Sequence, residues 1–134
     1  MKNDYILSLE GKLHGYHTRL KELHYSAPSY DLHKIIDEFD EALLKFDDEI
    51  MEDAQSIYGF IEVGEIQPSL PSETEIEDLL QAIRGTLADT KEKLKGKLHT
   101  GIHNEIDDFW HTINQTIYLV QLAKKNLVAP KSEA

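Results

Sequence analysis

His33, Asp37, Asp48 and Glu52 form the one pattern in this chain whose residue types and spacing suit a defined chemistry, the holding of a metal ion. Successive residues of an α-helix turn by about 100°. With His33 at zero, Asp37 falls near about 40°, Asp48 near about 60° and Glu52 near about 100°. The apolar residues Phe39, Leu43, Phe46 and Ile50 fall between about 220° and about 280°. The ligand-type residues therefore share one face, and that face points away from the core of the helix's own bundle. Imidazole nitrogen and carboxylate oxygen, with no thiolate, suit iron or manganese, and zinc less specifically.

A single helix cannot close such a site. Asp37 and Asp48 lie about 16 Å apart along the axis at 1.5 Å per residue, whereas metal–oxygen bonds are near about 2 Å. Two copies can close it. If two such helices pack antiparallel about a two-fold axis near Leu44, His33 and Asp37 of one face Asp48 and Glu52 of the other. A two-fold axis generates two identical sites, as in isologous homodimers. His24, just before the turn that leads into this helix, can add a second imidazole. The expected site holds two imidazoles and three carboxylates across a subunit interface. The same reasoning disfavours an inward-facing di-iron site of the four-helix kind. The last helix offers only Asp108-x-x-His111 as a partial substitute for Glu-x-x-His.

The elements that must position these residues read as helices. The first segment runs from about Asp4 to His24, with Ile6, Leu9, Leu13, Tyr16, Leu20 and Leu23 at steps of three and four. Gly11 and Gly15 interrupt it, each disfavoured by about 1 kcal/mol relative to Ala; they either permit close packing or only weaken the helix. Pro28 and Ser29 open the second segment, which runs to about Tyr58 with Gly59 as its cap. Its expected core stripe is Ile35, Phe39, Leu43, Phe46, Ile50 and Ile57. Gly59 to Pro71 reads as a connection, and Ser72 with Glu75 as a capping box. A third helix carries Ile76, Leu80, Ile83, Leu87 and Leu94. After a corner at Gly96 and Gly101, a fourth carries Ile102, Ile106, Phe109, Ile113, Ile117 and Val120. No strand pattern competes. The expectation is an all-α, ferritin-like four-helix bundle with a crossover between helices two and three. One domain should span 1–130, with a short tail at 131–134.

Composition narrows the function classes. The chain has 134 residues, 14 Lys plus Arg against 25 Asp plus Glu, and a formal charge of -11. Apolar residues make up 40%, enough for a core. With no cysteine, a disulfide scaffold, a thiolate zinc site, an iron–sulfur cluster and a thiol nucleophile are excluded. No run approaches the roughly 20 apolar residues of a membrane span, and the start lacks signal-peptide character. The expected location is the cytoplasm, with no membrane partner. The negative charge argues against DNA binding, because a polyanion is repelled.

The run from Leu23 to Glu52, LHYSAPSYDLHKIIDEFDEALLKFDDEIME, resembles the ferroxidase segment of the Dps family, the mini-ferritins. It is similar in having a His followed by an aromatic residue, then L-H-x-x-x-D, then D-x-x-x-E along the same helix. The resemblance makes His24, His33, Asp37, Asp48 and Glu52 both the iron ligands and the catalytic residues. Tyr25 stands where the family usually has Trp. The resemblance also implies sites shared between two subunits of a homodimer, and a larger shell such as a dodecamer. In it Asp48 and Glu52 of one subunit, helped by His24 of the other, would hold the better-occupied iron. His33 and Asp37 would complete a weaker position, with Glu52 as the bridge. The departures are a shorter interval from His24 to His33, a middle connection too short for the family's small extra helix, and no basic tail.

The function expected on this resemblance is oxidation of ferrous iron with peroxide or dioxygen, storage of ferric mineral and protection against oxidative stress. Zinc or manganese could substitute for iron. Asp40 and Glu41 are candidate nucleation residues on an acidic inner surface. The alternative is a non-enzymatic helical assembly or adaptor. The remaining residues have plainer readings. His17 is read as structural, His14, His99, His103 and His111 as lacking partners, and Phe109 and Trp110 as packing. Asp107, Asp108 and His111 offer a weaker second grouping.

Overall fold

The structure, a computed structural model, describes residues 3–128. The expected tail at 131–134 lies outside the described residues. Four α-helices follow in order: α1, Asp4–Tyr25; α2, Tyr30–Tyr58; α3, Ile76–Lys93; and α4, Thr100–Val128. A single 3₁₀ turn, Lys97–His99, leads into α4. The described residues contain no strand.

Local chemistry sets the boundaries. Asn3 accepts the Tyr5 amide at 2.8 Å through its side chain and so caps α1. Ser29 caps α2 by accepting the Leu32 amide at 3.2 Å. Gly59 ends α2 with φ 94°, a left-handed value that disfavours any side chain. The capping box expected at Ser72 and Glu75 does not form. Glu75 itself takes the N-cap position of α3 in extended conformation, with no side-chain cap bond. The carbonyl of Glu73 instead accepts the Arg19 guanidinium, which fixes the approach to α3 from the side of α1.

Contacts along the helices give their directions. Asn3 bonds Tyr58, whereas His24 bonds His33, so α1 and α2 are antiparallel. Tyr16 reaches Thr86 at 2.7 Å, and Lys93 lies over the Tyr5 ring, so α3 also opposes α1. Arg84 bonds Asn114 and Lys91 bonds Asp107, so α4 opposes α3. Hence α2 and α3 run the same way. The segment between them, 59–75, lies along α1, where the Ser69 amide donates to the Gly11 carbonyl at 2.9 Å.

Gly11 and Gly15 permit this approach. A Cβ at Gly11 would sit 2.2 Å from the Gln67 carbonyl oxygen, and one at Gly15 1.8 Å from that of Ser69. Of the two readings left by the sequence, close packing is the one realised.

The core follows the 3.6-residue stripes. Leu9, Leu13, Leu20, Leu43, Ile50, Leu80, Ile83, Leu87, Ile102 and Ile106 are fully enclosed. Full burial of each such side chain contributes about 1.5–3 kcal/mol. Phe109 of α4 stacks on Phe46 at 4.4 Å and Phe39 at 5.5 Å. In α2 the stripe is turned slightly from the expected one. Leu32 and Ile36 are buried, while Ile35 and Ile57 are half-buried at the margin. The cause is that α2 packs on both α1 and α4, which widens its buried arc. Among the described residues no helix is long and apolar enough to cross a membrane.

Candidate metal centre

The turn between α1 and α2 sets His24 against His33 with Asp37 nearby, but the ligand atoms of the three do not converge within 4.8 Å of one another. The two imidazoles stack with ring centroids 3.8 Å apart. Their bonds are reciprocal: His24 Nδ1 donates to the His33 carbonyl at 3.1 Å, and His33 Nδ1 donates to the His24 carbonyl at 3.0 Å. A carbonyl can only accept, so each Nδ1 carries hydrogen, and Nε2 is the ring nitrogen not engaged in these bonds. The His24 carbonyl is one of the last in α1 and lacks an intrahelical partner; His33 supplies one. Asp37 Oδ1 lies 3.9 Å from His24 Nδ1, with 43% of its side chain exposed. Tyr25 meets His24 edge-on, Tyr30 stacks near His33, and both tyrosines are exposed.

Asp48 and Glu52 stand exposed farther along α2. At the helical rise they begin about 16 Å beyond Asp37. The five expected ligands therefore divide into two groups, one at each end of the outer face of α2. They do not meet within one chain.

Sequence reasoning missed a second group. Glu10, His14 and Asp47 each offer a ligand atom, and the three atoms lie within 4.8 Å of one another. They are the only such trio among the described residues. His14 was expected to lack partners, yet its Nε2 sits 2.9 Å from Glu10 Oε1 and 3.9 Å from Asp47 Oδ2. The i,i+4 spacing of Glu10 and His14 was visible in the sequence; their convergence with Asp47 depends on how α1 and α2 pack. Burial pushes the Asp47 carboxyl up to about 8, and its hydrogen bond and repulsion with Glu10 add to this. Burial likewise raises Glu10.

Asp40 departs from its expected role at an open mineral surface. It is 4% exposed and bonded to His17 at 2.7 Å. The pair ties α1 to α2 and gives His17 its structural place. Glu41 is exposed, as a surface acid. The weaker grouping of Asp107, Asp108 and His111 does not assemble, because Asp107 pairs with Lys91 at 2.6 Å. His99 bonds Tyr58 and the Lys95 carbonyl, and His103 bonds the Leu94 carbonyl.

Where α2 faces α4, Glu49, Glu105 and Asp108 line a cavity of about 290 Å³. The Glu105 carboxyl is pushed up to about 8 by burial, then by its hydrogen bond to Asp53 and the charges of Asp53, Glu49 and Glu52. A high density of acid thus flanks the Asp48–Glu52 end of α2 and favours cations there.

No protein-family model, no curated protein and no solved structure matches the chain.

Proposed function

We propose that the chain is a mini-ferritin-like protein that binds ferrous iron between two copies and oxidises it. The observation that carries this reading is the division of ligands along α2. His24, His33 and Asp37 lie at one end, with Nε2 of each imidazole free of the Nδ1–carbonyl bonds, while Asp48 and Glu52 stand exposed at the other. An antiparallel second copy would complete two equivalent sites. Leu44, exposed between the two groups, lies where the two-fold axis would pass. The ferritin-like fold with a crossover belongs to the same proposal. It is supported by the parallel run of α2 and α3 and by the link that follows α1 between them.

The donor set fits iron as substrate. Carboxylates favour the ferric over the ferrous state, because the higher charge gains more from anionic oxygen. Imidazoles keep the site less negative and let the product leave. Two ferrous ions give one electron each to one hydrogen peroxide; its O–O bond breaks, and two protons complete two waters. Storage of ferric mineral, a larger homo-oligomeric shell and a cytoplasmic setting are parts of the same reading.

A second reading is a non-enzymatic helical protein. The reciprocal His24–His33 bonds favour it, since they already explain both imidazoles as a lock on the α1–α2 turn. Anaerobic ferrous titration followed by peroxide separates the two. Stoichiometric oxidation that is lost in Asp48→Ala and Glu52→Ala, with mass in solution doubling or more on iron loading, supports the enzyme. A chain that stays monomeric on iron loading and does not oxidise it, or variants that oxidise as well as the parent, would remove it.

A further inference from the structure

We propose that Glu10, His14 and Asp47 form a second metal site, for one divalent first-row transition-metal ion, inside a single chain between α1 and α2. This site does not rest on the shared-site reading, because every ligand comes from one copy.

The geometry is close to what a cation needs. Metal bonds to nitrogen and oxygen of about 2.0–2.2 Å put adjacent ligand atoms about 3 Å apart and opposite ones about 4 Å apart. Here the imidazole nitrogen lies 2.9 Å from one carboxylate oxygen and 3.9 Å from the other. All three ligand atoms fall within 4.8 Å. Small rotamer adjustments would bring them around one ion.

The independent observation is the state of the two acids. The Glu10 side chain is only 5% exposed and that of Asp47 14%. Glu10 Oε2 and Asp47 Oδ1 are buried without a hydrogen-bond partner. Buried carboxylate oxygens are ordinarily paired or bound to metal. No lysine or arginine among the described residues pairs with either acid; His14 is the basic group in reach. A divalent ion would neutralise both carboxylates, and two-oxygen chelation or a turn of each carboxylate would bring its idle oxygen to the ion. A single shared proton is the competing occupant.

Access comes from the His14 side, where that residue is 44% exposed. A cavity of about 240 Å³ opens there, lined by Leu13, His14, His17, Leu43, Asp47 and Pro68. Water can fill the remaining coordination positions from this cavity. One imidazole and two carboxylates, without thiolate, suit Mn2+, Fe2+, Co2+ or Zn2+ better than Cu(I).

Cobalt(II) is a suitable probe, because its visible absorption reports the ligand set. The full chain, stripped with chelator, is titrated with Co2+ under equilibrium dialysis. With Asp48→Ala and Glu52→Ala removing the shared-site carboxylates, one ion per chain is expected, with a visible band, and the further substitutions are read in that background. Glu10→Gln and Asp47→Asn should each weaken binding at least tenfold and abolish the band. Both substitutions relieve repulsion between buried acids, so both variants should fold and melt no lower than the parent without metal. A double variant, Asp48→Ala with Glu52→Ala, should keep ion and band, whatever the fate of the shared site. Unchanged cobalt affinity in Glu10→Gln and Asp47→Asn would overturn the proposal. So would loss of the band in the Asp48/Glu52 double variant, or absence of binding by the parent, which would leave a shared proton as the occupant.

Discussion

Replacing Gly15 by Ala tests the packing that sets the position of α3. Helix propensity favours Ala over Gly by about 1 kcal/mol at an interior helical position. The surroundings oppose it. A Cβ at Gly15 would stand 1.8 Å from the Ser69 carbonyl oxygen, 2.5 Å from its carbon and 3.1 Å from Leu70 Cα. These atoms belong to backbone, so no side chain can swing aside. The 59–75 link must retreat by more than about 1 Å, and overpacking of this kind costs about 1–3 kcal/mol. The Ser69 amide bond to Gly11 would stretch as the link lifts, a loss of about 1 kcal/mol. Against the propensity gain, the net is a destabilisation of about 1–3 kcal/mol. Gly85 supplies the control. It lies within α3, and a Cβ there meets nothing within 4 Å. Gly85→Ala should therefore stabilise by about 0.5–1 kcal/mol. Urea unfolding of the two variants beside the parent reads both signs in one experiment. If Gly15→Ala raised the unfolding midpoint as Gly85→Ala does, the link would not lie against α1, and the crossover path argued from it would lose a main support.

Asp47 makes stability depend on pH. Its carboxyl is raised to about 8 in the folded chain from an ordinary 3.8, so the folded state holds a proton that the unfolded chain has released. Stability should fall as pH rises across that interval, with a slope of up to about 1.4 kcal/mol per pH unit from this group. In chelator-treated buffer, urea midpoints at pH 5.5 and 7.5 should differ more in the parent than in Asp47→Asn; equal differences would refute the assignment. His33→Ala removes the imidazole stack and the donor to the His24 carbonyl, and should lower stability by about 1–2 kcal/mol by thermal melting. No change there would mean that the α1–α2 turn does not depend on the pair. Phe109→Ala empties the site between Phe39 and Phe46 and should cost about 3–5 kcal/mol in denaturant, well above the effect of any surface substitution.

The parts legible in the sequence are those whose signal is local. Ile6 to Leu20 and Ile76 to Leu87 announce their helices because a 3.6-residue stripe is written within each segment. Ser29 and Gly59 bound α2 because capping uses residues adjacent to the helix end. Ser72 and Glu75 also had the local spacing of a cap, but the Arg19 guanidinium holds the Glu73 carbonyl and α3 begins later. That bond joins residues far apart in the chain, and no local pattern reports it.

The acids show the same limit more sharply. Glu10, Asp40 and Asp47 look like ordinary surface charges in sequence, since burial of an acid without a basic partner is rare. Whether each faces water is fixed by the rotation of α2 against α1, and that rotation is set by the apolar residues. Leu32 and Ile36 turn inward, Ile35 moves to the margin, and Asp40 and Asp47 are carried into the α1–α2 seam. His17 and His14 meet them there from α1. The same rotation leaves Asp48 and Glu52 facing outward. One packing decision thus creates two acidic groups of opposite character: an inner one whose burial pushes the Asp47 carboxyl toward its protonated form, and an outer one exposed on the surface of α2. The angular reading of α2 anticipated the outer group, because a helical wheel shows which side a residue occupies. It could not anticipate the inner group, because a wheel for one helix does not say what the neighbouring helix brings to the same side.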